Sequence, residues 1–348
     1  MTSKIKPSQG APYARIMGVG GYRPVNVVPN EEILKYIDSS DEWIRSRSGI
    51  STRHWAGPEE TVAAMSVEAA GKAIADAGIT PEQVGGVIVS TVSHFKQTPA
   101  VATEIAHRIG AGKPAAFDIS AGCAGFGYGL TLAKGMVTEG SAEYVLVIGV
   151  ERLSDLTDLE DRATAFLFGD GAGAVVVGPS QEPAIGPTVW GSEGDKSETI
   201  KQTLGWDVYR RTPVPGGDGP GDQLALDEIR YPAITQEGQA VFRWAVFEMA
   251  KVAQEALDVA GVSPADLDVF IPHQANMRII DSMVKTLKLP ESVTVARDVE
   301  TTGNTSAASI PLAMERLLAT GQAKSGDTAL VIGFGAGLVY AAAVVTLP

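Results

Sequence analysis

Cys123 is the sole cysteine among 348 residues, and it lies in Asp118-Ile119-Ser120-Ala121-Gly122-Cys123-Ala124-Gly125-Phe126-Gly127. An apolar run ends, small residues turn the chain, and the spacing predicts a Gly/Ala-rich helix that opens at the sulfur. A thiol at a helix N-terminus meets unpaired N–H groups and the positive end of the dipole, both of which favour thiolate. A free cysteine is also a common buried apolar residue. The flanking glycines favour the nucleophile, because they let other atoms approach the backbone closely. Two further residues stand where elements end. His273 follows the apolar run Phe270-Ile271-Pro272, and Asn304 sits in Thr301-Thr302-Gly303-Asn304-Thr305-Ser306. Taken singly, the first reads as a structural histidine and the second as a cap or turn residue. Taken with Cys123, they supply the hydrogen-bond donors that hold charge developing opposite a nucleophile.

The elements that must bring these residues together look duplicated. Ala69 to Ala77 reads as an amphipathic helix closed by Gly78, followed by Thr80-Pro81 and the strand Val87-Ile88-Val89-Ser90. Val252 to Ala260 repeats it, with Gly261, Ser263-Pro264 and the strand Val269-Phe270-Ile271-Pro272. Leu146-Val147-Ile148-Gly149 and Leu330-Val331-Ile332-Gly333 form a second matched pair of buried strands. The pattern predicts two similar α/β halves, roughly residues 1–178 and 179–348. Cys123 and Asn304 then occupy equivalent helix starts, and the strand ending at Ser90 in one half ends at His273 in the other.

Composition excludes several function classes. With 28 Lys and Arg against 41 Asp and Glu, the net charge of −13 repels nucleic acid. An acidic protein partner would need a local basic patch. One cysteine and four scattered histidines give no metal-ligand spacing, so no metal is expected. No secretory leader is evident and no apolar run approaches a membrane span, which predicts a cytoplasmic protein. Gly333-Phe334-Gly335-Ala336-Gly337 is read as a tight turn near a ligand, with a strand over 339–345. Phe168-Gly169-Asp170-Gly171-Ala172-Gly173 is read as a turn leading into Val175-Val176-Val177. Residues 191–230, with Pro213-Val214-Pro215-Gly216-Gly217, break the pattern and read as a mobile loop that is either part of a pocket or inert.

Taken together, Ser39-Ser40-Asp41-Glu42-Trp43-Ile44, Arg47-Ser48-Gly49-Ile50, the Cys123 segment, Phe168 to Gly173, His273-Gln274-Ala275-Asn276, Gly303-Asn304-Thr305-Ser306 and Gly333-Phe334-Gly335 resemble β-ketoacyl-acyl-carrier-protein synthase III. This family of condensing enzymes belongs to the thiolase superfamily, and the wording around Ser93 to Pro99 is similar to actinobacterial members. The resemblance implies a five-layered αβαβα fold from two pseudo-twofold-related halves, a homodimer, and an acyltransferase without metal or other cofactor. It implies acetyl-CoA or a short branched acyl-CoA as primer and a malonyl-acyl-carrier protein as extender, in the initiation of fatty acid biosynthesis. Cys123, His273 and Asn304 would be catalytic, with the backbone N–H groups of Cys123 and Ala336 as oxyanion hole. The family usually has glycine at the Ala336 position.

By the same resemblance, Trp43 and Arg162 would sandwich the CoA adenine and Arg47 would meet its phosphates. Gln274, Ala275, Asn276, Met277 and Arg278 would dock the acidic carrier protein, with Arg243, Lys285 and Lys288 extending a basic patch. Thr98 of a partner subunit and Phe334 would bound the acyl pocket. Alternatives are an acyltransferase that forms no carbon–carbon bond, a ketosynthase priming a polyketide, and a non-catalytic carrier-binding subunit. The residue pattern does not choose the primer.

Overall fold

The computed structural model describes residues 5–211 and 231–348. The Pro213-to-Gly221 stretch of the expected loop lies outside the described residues. Ten strands build two sheets: β1 (Tyr13–Tyr22), β2 (Val84–Ser90), β3 (Ala115–Ile119), β4 (Tyr144–Arg152) and β5 (Asp170–Ser180), then β6 (Val189–Ser192), β7 (Val269–Pro272), β8 (Thr294–Val295), β9 (Thr328–Gly335) and β10 (Val339–Thr346). The first sheet runs β1-β5-β4-β2-β3 and the second β6-β10-β9-β7-β8. Adding five to each label of the first order gives the second. The senses match as well. The β2 strand is parallel to β3 and β4, as β7 is to β8 and β9, while the remaining neighbours are antiparallel.

Helices fill the spaces between and outside the sheets. They are α1 (Asp41–Ser48), α2 (Val62–Asp76), α3 (Val101–Arg108), α4 (Gly125–Glu139), α5 (Gly238–Phe247), α6 (Met249–Ala260), α7 (Met277–Leu287) and α8 (Ser309–Ala319). The α2 and α3 helices cover the outer face of the first sheet, and α6 and α7 that of the second. Between the sheets lie α4, through Phe126, Leu130, Ala133 and Val137, and α8, through Ile310, Ala313, Met314 and Leu317. Five layers result, in the order αβαβα. The expected repeat is visible in the helix ends. Both α2 and α6 give way to left-handed glycines, Gly78 at φ 67° and Gly261 at φ 69°. Both are followed by a one-turn 3₁₀ helix whose Thr80 or Ser263 N–H is capped from Gln83 (2.9 Å) or Asp266 (3.1 Å).

Glycine allows the central layer to lie flush. A Cβ on Gly127 would stand 2.8 Å from the Ala341 methyl, one on Gly129 2.8 Å from Val147, and one on Gly125 would collide with the Ser90 hydroxyl. The glycines around Cys123 therefore admit strands of both sheets. The Phe168-to-Gly173 expectation needs correction on the same ground: from Asp170 the segment is β5 itself rather than a turn. Its glycines fit the strand beneath α8, because a Cβ on Gly173 would stand 2.7 Å from Pro311. Gly149 of β4 approaches just as closely, since a Cβ there would lie 2.1 Å from the Ala307 carbonyl oxygen. Gly149→Ala should cost about 2 kcal/mol or more, because backbone must move to admit the methyl. Gly71→Ala on the exposed side of α2, where a Cβ meets nothing within 4 Å, should instead gain about 0.5–1 kcal/mol. Denaturant unfolding of the two variants measures both signs.

Candidate functional site

The segment after β3 turns through Gly122, at φ 47°, into a one-turn 3₁₀ helix (Gly122–Ala124) that runs on as α4. Cys123 therefore stands one turn ahead of the central helix. His273 follows β7, its N–H bonded to the Ile332 carbonyl oxygen at 2.7 Å. Asn304 precedes the 3₁₀ turn (Ser306–Ala308) that opens α8. Its backbone is clasped by the Phe168 region: Asn304 N–H to Leu167 O at 2.8 Å, and Gly169 N–H to Asn304 O at 3.0 Å. All three side chains line one cavity of about 510 Å³, together with Ser306, Phe334, Gly335 and Ala336.

Strand β9 ends against the sulfur. A Cβ on Gly335 would stand 2.8 Å from Cys123 Sγ and 2.9 Å from its N, so this position accepts no side chain. Gly333, Phe334 and Gly335 thus belong to strand β9 itself, which corrects the expectation of a tight turn there. The strand continues through a 3₁₀ turn (Ala336–Leu338) into β10. Ala336 lies over Gly122, with its N 3.3 Å from where a Gly122 Cβ would be. Two backbone N–H groups, of Cys123 and Ala336, consequently flank the same corner of the cavity.

Burial sets the protonation states. Cys123 keeps a partial opening to the cavity, but its desolvated thiol is pushed up to about 12. The hydrogen-bonding Ser306 side chain and the residue's own N–H favour thiolate and offset only part of that rise. This corrects the expectation drawn from the helix start: the resting group is a neutral thiol. His273 is 2% exposed, and burial lowers its imidazole to about 3, so it is neutral at ordinary pH. Its Nδ1 lies 2.7 Å from Ser309 Oγ, which accepts the Gln274 N–H at 3.3 Å. That hydroxyl can direct its hydrogen to Nδ1, which leaves the ring proton on Nε2. Asn304 Oδ1 accepts the Ser306 N–H at 2.9 Å, so the NH₂ end is the one free to donate into the cavity. Phe334 lies edge-on to His273, with centroids 5.4 Å apart, and limits its movement.

The nucleotide-binding candidates gather elsewhere on the surface. Ser40 Oγ caps α1 by accepting the Trp43 N–H at 3.1 Å, and Gly49 closes the helix at φ 78°. Trp43 and Arg47 share one face of α1. The guanidinium of Arg47 lies 5.8 Å from the Trp43 ring centroid and that of Arg162 5.1 Å. Helix α1 packs against the start of α7, where Asn276 Nδ2 donates to Arg47 O at 3.0 Å.

The carrier-docking expectation divides. Gln274 is wholly buried: its Nε2 donates to Pro272 O and Ala296 O, and its Oε1 accepts the Val299 N–H. With every polar atom engaged, it offers no docking surface and braces the loop behind His273, a correction to the expected role. Ala275 lines the cavity, and Asn276 caps α7 by accepting the Arg278 N–H. Met277 is half-buried, with its sulfur 2.8 Å from Arg297 Nη1. Arg243, Arg278, Lys285 and Lys288 are exposed on α5, on α7 and at the end of α7. Thr98 is exposed and does not line the cavity, whereas Lys96 and Gln97 do. From the irregular 191–230 region, Ile200, Lys201, Gln202 and Trp206 line the cavity, joined by Ile234.

Sequence reasoning missed Ser306 and Ser309. Both follow Asn304 at short spacing. Among the described residues, no group of three or more His, Cys, Asp or Glu side chains is placed to hold a metal, and no helix is long and apolar enough to cross a membrane.

Comparison with known proteins agrees with this arrangement. Residues 117–194 match the family model for 3-oxoacyl-[acyl-carrier-protein] synthase III, and residues 257–347 match that for its C-terminal part. The chain is 82% identical to beta-ketoacyl-[acyl-carrier-protein] synthase III 1 of Streptomyces coelicolor, over 99% of this chain and 100% of that one. It is 83% identical to beta-ketoacyl-[acyl-carrier-protein] synthase III of Streptomyces glaucescens, at the same coverage. Among solved structures, the priming beta-ketosynthase from the R1128 polyketide biosynthetic pathway is similar at 44% identity and a TM-score of 0.93, over 99% of both chains. A lone thiol and two neutral donors on one cavity, in a doubled αβαβα frame, thus accompany full-length likeness, and the chain belongs to the 3-oxoacyl-[acyl-carrier-protein] synthase III family of condensing enzymes.

Proposed function

We propose that the protein joins a short acyl group from acyl-CoA to malonyl-acyl-carrier protein, giving 3-oxoacyl-carrier protein, carbon dioxide and CoA at the start of fatty acid synthesis. The observation that carries this reading is the shared cavity of Cys123, His273 and Asn304. Cys123 attacks the primer thioester and keeps the acyl group, while the N–H groups of Cys123 and Ala336 hold the oxyanion. Malonyl thioester then loses carbon dioxide, and the electron pair of the broken C–C bond passes into an enolate. No base is needed, because no proton is removed from carbon. The enolate oxygen needs neutral donors, which the Nε2–H of His273 and the NH₂ of Asn304 supply. A cationic imidazole is not required, and burial prevents one from forming. The apolar ring of Phe334 beside His273 disfavours a carboxylate and favours its departure as neutral carbon dioxide. The enolate carbon then attacks the acyl-Cys123 carbonyl and expels the sulfur.

CoA would enter with its adenine between Trp43 and Arg162, displacing their present direct contact, and its phosphates near Arg47. The carrier protein would dock over Arg243, Arg278, Lys285 and Lys288, whose charge opposes that of an acidic partner on an otherwise acidic chain. We read the protein as a cytoplasmic homodimer, with the partner's Thr98 closing the acyl pocket, and as two halves joined between β5 and β6. Neither metal nor other cofactor enters the scheme. The likeness to a priming ketosynthase favours polyketide priming as the second reading.

Incubation with acetyl-CoA should add one acetyl group to Cys123, detected by intact-mass and peptide mass spectrometry, and none to Cys123→Ala. An unmodified wild-type chain would end this reading. Ser309→Ala should let the His273 proton redistribute between the ring nitrogens, seen as a change in its ¹⁵N shifts. Carbon dioxide release from malonyl-carrier protein should fall with it by about tenfold or more.

A further inference from the structure

The irregular stretch that opens at residue 191 holds the cavity from behind. Glu193 follows β6 directly and reaches the walls of the site in two ways. Its backbone N–H donates to Leu338 O at 3.1 Å. Leu338 closes the turn that carries Ala336, and it sits at φ 23°, a left-handed backbone that leucine rarely adopts. Such a conformation persists where the surroundings over-determine it, and the Glu193 N–H is one of those restraints. The carboxylate points the other way. Glu193 Oε1 accepts the Trp244 Nε1–H at 2.7 Å, and Oε2 pairs with Lys196.

Trp244 lines the cavity from α5 and is 6% exposed. Its ring meets Phe334 edge-on, with centroids 6.1 Å apart and planes at 74°. Phe334 meets His273 in the same manner, at 5.4 Å and 81°. Carboxylate, indole, phenyl and imidazole thus stand in one row, from a partly exposed acid to a buried donor. Glu193 itself does not line the cavity. Aromatic pairs tolerate a range of tilts, so the ring contacts alone fix the row loosely. A hydrogen bond from the indole to an ionised acceptor is stronger and directional.

We propose that Glu193 is a positioning residue for decarboxylation: it fixes the Trp244 indole, which holds the Phe334 ring edge-on to His273, where the malonyl carboxylate leaves. The inference rests on the condensation proposed above. Lys196 and the indole N–H hold the Glu193 carboxyl below the usual carboxylate range, so the acceptor is ionised at ordinary pH. The two contacts of Glu193 then separate the two halves of the reaction. Replacing its side chain keeps the backbone bond to Leu338, and with it the turn whose Ala336 N–H serves acyl transfer to Cys123. Only the wall beside His273 is loosened, so acyl transfer continues while decarboxylation slows.

Steady-state release of labelled carbon dioxide from malonyl-carrier protein, beside single-turnover acetylation of Cys123 by acetyl-CoA, tests the assignment. Glu193→Ala should lower kcat for release about tenfold, with KM and the acetylation rate each within about twofold of wild type. Glu193→Gln, whose amide oxygen still accepts the indole N–H, should recover most of the release. The Trp244 indole ¹H–¹⁵N signal, assigned by its loss in Trp244→Phe, should move upfield in Glu193→Ala and stay near its place in Glu193→Gln. Trp244→Phe should slow release at least as much as Glu193→Ala, and combining the two should slow it no further. Wild-type release in Glu193→Ala, or equal losses of release and acetylation, would overturn the assignment. Should that variant not fold, wild-type release in Trp244→Phe would do so. A wild-type protein that acetylates Cys123 but frees no carbon dioxide would instead remove the reaction on which the inference rests.

Discussion

Helix α4 can lie between two sheets only because positions 125, 127 and 129 carry no side chains. That close approach governs the site. It draws the ends of β3, β7 and β9 and the start of α8 toward one point, and each end delivers one group to the cavity. Gly335 shows the tolerance best: the strand end passes so near the sulfur that even a methyl has no room. Gly149 and Gly169 do the same for the segment carrying Asn304 and Ser306, where added methyls would meet the carbonyl oxygens of Ala307 and Thr302 at 2.1 Å. The glycines thus convert strand packing into side-chain position.

Dense packing around the cavity also governs its chemistry. Removal from water holds the imidazole and the thiol in their neutral forms. A reaction that generates its carbanion by losing carbon dioxide suits such a place, since it needs donors for a transient oxyanion and no strong base. Charge appears only as the transition state forms, where fixed dipoles stabilise it without reorganising.

Much of this was legible in the chain. The repeated helix, glycine and strand pattern predicted two like halves, and the two sheets share one strand order and one set of senses. It also predicted that Cys123, His273 and Asn304 would each stand at the end of an element. Periodicity misled at Phe168 to Gly173, where glycines read as a turn because their demand comes from α8, nearly 140 residues away in sequence. Gln274 was drawn into a docking segment by its neighbours, and only the fold shows its amide turned inward. Ser306 and Ser309 were missed because an isolated hydroxyl has no periodicity. Their importance arises from contacts with distant residues.

In the proposed scheme the Cys123 sulfur carries the acyl group, and two neutral donors, His273 and Asn304, stabilise the enolate. Labelled carbon dioxide released from malonyl-carrier protein, measured for Cys123→Ala beside His273→Ala and Asn304→Ala, tests that division most directly. Release should persist without the sulfur and drop by about 100-fold or more without either donor. Release that vanishes with the sulfur, or that survives the loss of both donors, would contradict it.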